Sequence, residues 1–184
     1  MKLTSSVRRQ VPSVRGFTLV EALVTVAVAG LLTAMAVPAF SAFSLNDRDI
    51  EQINALAASF NYARTKAIQR DVRGGVTVCP SVDGVKCGGT SWSRGWIVVD
   101  SFGDPPFKTV PAMSGSNTIN VKGAAAGITF LSSGLVTPAA LTSITVCDTR
   151  GAASAREIEV NSTGHVAASQ TPGRTVAGAA LVCP

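Results

Sequence analysis

At 184 residues, 46% of them apolar and 15% charged, the chain has room for one long helix and one globular domain with its own core. Its formal charge of +5 suggests a basic protein, but four of the 16 Lys and Arg fall within the first 16 residues, so from Phe17 onward 12 cations face 11 anions. That near-neutral remainder excludes a bulk attraction to nucleic acid or anionic membrane and leaves only local sites for either.

Taken in order, Lys2, Arg8, Arg9 and Arg15 precede Gly16, and Phe17 to Phe40 then runs for 24 residues with a single charge, Glu21. About 20 residues at about 1.5 Å each cross a bilayer as a helix. Basic residues ahead of a first apolar segment hold that side in the cytoplasm, which places everything after Phe40 outside it. A secretory signal peptide, with an apolar core of about 7 to 15 residues, is the plainest alternative, and Ala34-Met35-Ala36 with Ala39 mimics its cleavage site. A simple signal anchor explains the length but not Glu21, because an ionisable residue in a span is costly and marks a function. The plain reading of Glu21 is a carboxylate snorkelling from a helix end.

Gly16-Phe17-Thr18-Leu19-Val20-Glu21, behind a basic leader and ahead of an apolar run containing Pro38, resembles the class III signal of type IV pilins and pseudopilins. The resemblance implies that a prepilin peptidase cuts between Gly16 and Phe17 on the cytoplasmic side and N-methylates Phe17. It also implies that Glu21 is the family's glutamate, fifth in the mature chain. In lipid such a carboxylate becomes tolerable when it meets a positive charge on another chain. The new amino group of a neighbour's Phe17 supplies one, which would set axial register during assembly.

Residues Ser41 to Arg73 continue the helix, with Ile50, Ile53, Ala57, Phe60, Ala63 or Arg64, and Ala67 or Ile68 on one apolar face. Asp47, Arg48, Asp49, Glu51, Gln52, Asn54 and Asn61 fall between them as the polar side. Pro38 is expected to kink the helix without ending it. Arg64, Lys66, Arg70 and Arg73 crowd the helix end, where cations complement the dipole by about 0.3 to 1 kcal/mol. A contact surface for an acidic partner or a phosphate backbone is the alternative.

Gly74-Gly75 stops the helix, and strands are expected at 76–79, 96–99, 118–121, 128–130, 143–147 and 156–160, each short, β-branched and bounded by turn residues. The stretch from Ala112 to Gly127 reads as dominated by loop. Four cysteines in an oxidising compartment favour two disulfides, with three possible pairings. The preferred set is a local Cys79–Cys87 bridge and a long Cys147–Cys183 bridge that ties the tail to a strand. Zinc is disfavoured, since there is no C-x-x-C and His165 is the only histidine.

The run Phe60 to Arg70, the strand ending Val78-Cys79-Pro80, Cys87, Trp92-Ser93-Arg94-Gly95-Trp96, Val146-Cys147-Asp148 and Ser162-Thr163-Gly164 together resemble the GspH/FimT group of minor pilins and pseudopilins. The resemblance implies an α+β, type IV pilin-like fold: a long kinked N-terminal helix packed on an antiparallel β-sheet domain. Residues 1–16 would be a cleaved leader, 17–43 a transmembrane and filament-core helix, 44–73 its amphipathic half and 74–184 a periplasmic β-rich domain. Trp92 and Trp96 need only be packing aromatics.

By that resemblance the chain is a structural subunit that helps initiate or cap a type IV pilus, or else the corresponding pseudopilin of a type II secretion system. Cys147 with Cys183 looks more like the pilus minor pilins. Implied partners are prepilin peptidase, other minor and major (pseudo)pilins and an inner-membrane assembly platform, with no cofactor. The chain would be single-pass in the inner membrane before assembly and in the pilus or pseudopilus after it.

Some members of the group bind DNA through a C-terminal GRxR motif. Here Gly164-His165-Val166-Ala167 lacks both arginines and Gly173-Arg174-Thr175-Val176 keeps one. Phosphate binding needs several cations, so DNA binding would rest on Arg150, Arg156 and Arg174 if the fold gathers them. An enzyme has little support: a Ser-His-Asp arrangement would rest on His165 alone, in a Ser-Thr-Gly turn, and no phosphate loop or dinucleotide fingerprint is present.

Overall fold

The computed structural model describes residues 16–71, 73–102 and 105–183, with the side chains at positions 38 and 39 left aside. The leader cations Lys2, Arg8, Arg9 and Arg15 therefore lie outside the described residues, as does the side chain of Pro38. One helix, α1 (Leu19–Arg70), precedes nine strands: β1 (Val76–Pro80), β2 (Trp96–Asp100), β3 (Lys108–Val110), β4 (Thr118–Lys122), β5 (Ile128–Phe130), β6 (Val136–Thr137), β7 (Thr142–Cys147), β8 (Arg156–Val160) and β9 (Val166–Ala168). The chain divides between Ala42 and Phe43 into two compact units.

The first unit contains the start of α1. Thr18 caps it, its Oγ1 accepting the Glu21 N–H at 3.2 Å and its carbonyl accepting the Ala22 N–H at 3.1 Å. The spacing Thr18-x-x-Glu21 is that of a capping box, of which the Thr18 half is formed. The helix is unbroken through position 38. Every described side chain from Phe17 to Val37 is exposed, and the stretch is long and apolar enough to cross a membrane. Its hydroxyls are satisfied inside the helix: Thr25 donates to the Ala22 carbonyl at 2.8 Å and Thr33 to the Ala29 carbonyl at 2.9 Å.

In the second unit the remainder of α1 packs on two antiparallel sheets, one ordered β3-β2-β1-β5-β6 and the other β4-β7-β8-β9. The buried helix residues are Ile53, Leu56, Phe60, Ala63 and Ala67, at alternating intervals of three and four. The expected face was centred on Ala57. Leu56 is central instead, Ile50 and Ala57 sit half-buried at its flanks, and Ile68 is 49% exposed. Ala63 and Ala67 at the far end are wholly buried.

Period-two alternation sorts the strands. Val76 and Val78 of β1 and Trp96 and Val98 of β2 face the helix, while Cys79, Ile97 and Val99 form a second small cluster on the other side of the sheet. Ile144, Val146, Ile158 and Val160 close the main core from the second sheet. Trp92 and Trp96 are wholly internal, and both indole N–H groups are satisfied, by the Ala125 carbonyl at 2.8 Å and by Ser59 Oγ at 3.0 Å.

The helix ends at Arg70, three residues earlier than expected, because Asp71 turns to φ 46 and Gly74 to φ 86. Strands β3, β6 and β9 were not anticipated, being only three, two and three residues long. The loop-dominated stretch does hold β4, whose Ile119 and Val121 pack on the core. Two bridges staple the unit, Cys79–Cys87 and Cys147–Cys183.

The turns after β5 and β8 meet at Gly134 and Gly164. Gly164 has φ 75, and a Cβ there would collide with the Gly134 carbonyl oxygen and come within 3.2 Å of Arg64 Nε. Gly151, at φ 81, has nothing within 4 Å of its would-be Cβ. Gly164→Ala should therefore lower the stability of residues 43–184 by about 2 to 3 kcal/mol in urea titrations, and Gly151→Ala by only about 1 kcal/mol. With closures of 36 and 8 residues, removing Cys147–Cys183 should cost about 4 kcal/mol and removing Cys79–Cys87 about 2.5 kcal/mol in the same assay.

Candidate functional site

Two groups of residues define the candidate site: the motif at the start of the chain and the polar cluster that docks α1 in the second unit. Gly16 and Phe17 precede the helix, both exposed, with Glu21 in its first turn. A peptidase would find an accessible, irregular backbone at the Gly16–Phe17 bond, immediately ahead of the Thr18 cap.

The second group departs from expectation. Asp49 and Gln52 were assigned to the polar side of the helix, yet both are buried. Asn117, just before β4, donates from Nδ2 to Asp49 Oδ1 and to Gln52 Oε1, each at 2.7 Å. Arg150, in the turn after β7, donates from Nη2 to Asp49 Oδ2 at 2.9 Å and from Nε to Asp148 Oδ2 at 2.5 Å. Asp148 Oδ1 also accepts the Arg150 backbone N–H at 2.8 Å. Two segments distant in sequence thus close on one helical turn.

Burial pushes the Asp49 carboxyl above the usual carboxylate range, and the neighbouring Asp148 carboxylate pushes it the same way. The Asn117 hydrogen bond and the Arg150 charge oppose them. One guanidinium therefore serves two carboxylates whose side chains have no solvent exposure.

Arg150 and Arg156, two of the three cations considered for DNA, are engaged in docking α1: Arg156 Nη2 donates to Asn46 Oδ1 at 3.1 Å. Arg174 lies in the tail, where it donates to the Gly178 carbonyl at 3.4 Å. The basic cluster at the helix end is partly packed. Lys66 lies 5.4 Å from the Tyr62 ring centre, and Arg70 lies 5.0 Å from that of Phe107. His165 sits exposed in a turn, its backbone N–H donating to Asn161 Oδ1 at 3.0 Å. No group of metal-ligating side chains occurs among the described residues.

The family model for type II transport protein GspH matches residues 52–164, more than half of the chain. The chain belongs to the GspH family. The prokaryotic N-terminal methylation motif matches residues 12–37 of the same GspH-family chain, spanning Gly16, Phe17 and Glu21. Its fold is similar to crystal structures of the type IV minor pilin FimU from Pseudomonas aeruginosa PAO1 in two crystal forms. One has a TM-score of 0.56 at 18% identity, covering 70% of this chain and 98% of that one. The other has a TM-score of 0.52 at 18% identity, covering 63% and 88%. No curated protein matches the chain. The family is described as a type II transport protein and these neighbours as type IV minor pilins.

Gln52, Asn117, Asp148 and Arg150 all fall within the GspH match, whereas Asp49 and Asn46 precede it. Sequence reading missed this cluster because its members outside the helix lie 68 (Asn117) to 101 (Arg150) residues from Asp49, pairings that only the fold creates. Asp148-x-Arg150 after a strand was the available signal. Arg150→Met would leave the two carboxylates facing each other without their cation. It should destabilise residues 43–184 by about 3 kcal/mol at pH 7, the low end of the range for a broken buried pair because Arg150 is 26% exposed. The raised Asp49 group binds a proton more readily in the folded than the unfolded state, so acidification toward the carboxylate range should shrink that loss. Urea titrations of both proteins from pH 7 down to pH 5 check the sign.

Proposed function

We propose that this GspH-family protein is a minor pilin, a non-enzymatic structural subunit that helps initiate or cap a type IV pilus. The observation that carries the reading is the union, in one chain, of the methylation motif at 12–37 with a GspH match at 52–164, bridged by a helix whose first half exposes apolar side chains on every side. Exposed apolar area costs roughly 25 cal/mol per Å2 in water. Such a surface requires lipid before assembly and neighbouring helices afterwards.

In this reading prepilin peptidase removes residues 1–16 and methylates Phe17. Residues 17–43 anchor the subunit in the inner membrane and later lie in the filament core, with a bend at Pro38 easing the passage. Residues 44–73 dock on the β-rich domain at 74–184, which is periplasmic. Glu21 gives its backbone N–H to the Thr18 cap, and its carboxylate pairs with the Phe17 amino group of a neighbour. Other pilins and an inner-membrane assembly platform are its partners. The family's description as a type II transport protein supports a second reading as a secretion pseudopilin. The fold likeness to FimU and the tail bridge Cys147–Cys183 favour the pilus.

Mass spectrometry of filaments sheared from the native cells tests the choice. A peptide beginning at N-methylated Phe17 in the pilus fraction is expected, and the same peptide confined to the inner membrane would favour the secretion machine. Glu21→Ala should still be cleaved and methylated, yet its recovery in sheared filaments should fall about tenfold or more, as one lost intramembrane ion pair allows.

A further inference from the structure

We propose that Asp49 and Asp148 hold one proton between their Oδ2 atoms, and that this proton latches the first docked turns of α1 to the second sheet. The latch is built into the second unit, so it stands whichever machine assembles the subunit.

The geometry leaves that proton one place. A guanidinium fork ordinarily meets the two oxygens of a single carboxylate with two parallel N–H groups. Here the fork is split, Nη2 of Arg150 reaching Asp49 Oδ2 at 2.9 Å and Nε reaching Asp148 Oδ2 at 2.5 Å. Oxygens from two residues are thus held side by side where one carboxylate would present its own pair. The remaining oxygen of each group already accepts an N–H, Asp49 Oδ1 from the Asn117 amide at 2.7 Å and Asp148 Oδ1 from the Arg150 backbone at 2.8 Å. A proton on either Oδ1 would point at a donor. On Asp49 Oδ2 it donates to the Asp148 side chain. Burial, the Asp148 charge and that hydrogen bond all raise the Asp49 carboxyl, against the Asn117 bond and the Arg150 charge.

Charge balance asks for the same proton. Neither carboxyl side chain has any exposure, and with both ionised the single guanidinium leaves one buried negative charge uncompensated. One proton brings the cluster to neutrality. Among the described residues no other group supplies the difference: Asp47 and Glu51 are exposed acids on α1 itself, Arg48 lies against Gly115, Asn117 is uncharged, and Arg156 of β8 gives Nη2 to Asn46 at 3.1 Å, one turn earlier.

The long-range hydrogen bonds of residues 46–52 all belong to this cluster or its margin: Asn46 with Arg156, Asp49 with Arg150 and Asn117, and Gln52 with Asn117 and the Ser114 carbonyl. From Ile53 onward the apolar stripe holds the helix instead. Loss of the proton sets two anionic oxygens side by side without exposure, and the turn around Asp49 is the part that yields. Because Asp49 binds its proton more tightly docked than free, docking is firmest in acid and weakens as pH rises from the ordinary carboxylate range to the raised value.

The test uses the full-length protein in detergent micelles. With isotope-labelled aspartates, the infrared band of a protonated carboxyl should persist at about pH 5, where exposed aspartates are ionised, with the intensity of about one residue. Hydrogen exchange, corrected for the intrinsic effect of pH, should show peptides from 46–52 opening about tenfold more at about pH 8 than at about pH 5, while peptides from 56–67 do not change. Asp49→Asn and Asp148→Asn each leave at most one carboxylate to one guanidinium, and should lose both the band and the pH response. Asp47→Asn, at an exposed position, should keep both. An absent band, or exchange in 46–52 that ignores pH, would overturn the latch in the unaltered protein whatever the variants do. A response spread equally over 56–67, or one that survives either cluster substitution, would overturn it too.

Discussion

One uninterrupted helix has to satisfy two solvents, and the rest of the molecule depends on how it does so. From Leu19 to Phe40 the side chains of α1 are apolar except for Glu21, Thr25 and Thr33, and none of the described ones is covered by protein. From Ile53 to Ala67 the apolar residues narrow to one stripe, and that stripe is the inner wall of the core. Phe60 lies against Trp92 and Phe130, with ring centres 6.0 and 6.3 Å apart, and the same core takes in Ile144, Val146, Ile158 and Val160 of the second sheet. Burying a residue such as Leu56 or Phe60 contributes about 1.5 to 3 kcal/mol. Without the helix neither sheet would have a covered inner face, so the β domain and the docked half of α1 fold as one cooperative body.

The polar cluster around Asp49 occupies the turn where that stripe gives out. Hydrophobic packing is non-directional and would tolerate small rotations of α1, whereas hydrogen bonds from Asn117 and Arg150 to opposite oxygens of one carboxylate do not. A buried ion pair adds little net stability, because desolvation offsets most of the attraction. Its value here is positional. Asn117 precedes an edge strand of the second sheet and Arg150 follows the strand beside it, so the helix is held in register with that sheet at the level where its packed face begins.

Legibility in the sequence followed the range of the interactions. The long helix, the Gly74-Gly75 stop and the central strands β1, β2, β5, β7 and β8 depend on local pattern, and all of them could be read. Gly16, Phe17 and Glu21 were legible for the same reason, as a contiguous motif. Strands β3, β6 and β9 lie at or near sheet edges and are too short for a period to register. Asp49 and Gln52 were misread because a helical wheel places polar residues in water by default. Only the partners Asn117 and Arg150, brought in from far along the chain, make their burial tolerable. Arg150 and Arg156 looked available for phosphate because their acceptors on α1 belong to the tertiary structure.

The charges left over on α1 follow from the same division. Arg70 sits in the last turn, where the carbonyl end of the helix favours a cation. The acids do not have that explanation, since the positive end of the dipole is at Thr18 and Leu19, more than 25 residues before Asp47 by the helix bounds, and the dipole effect fades within the first turn. Asp49 is accounted for by Asn117 and Arg150. Asp47 and Glu51 face outward, Glu51 at the edge of an apolar groove, and neither is in an ion pair among the described residues, so the docking of α1 rests on Asp49 and not on the acids that flank it.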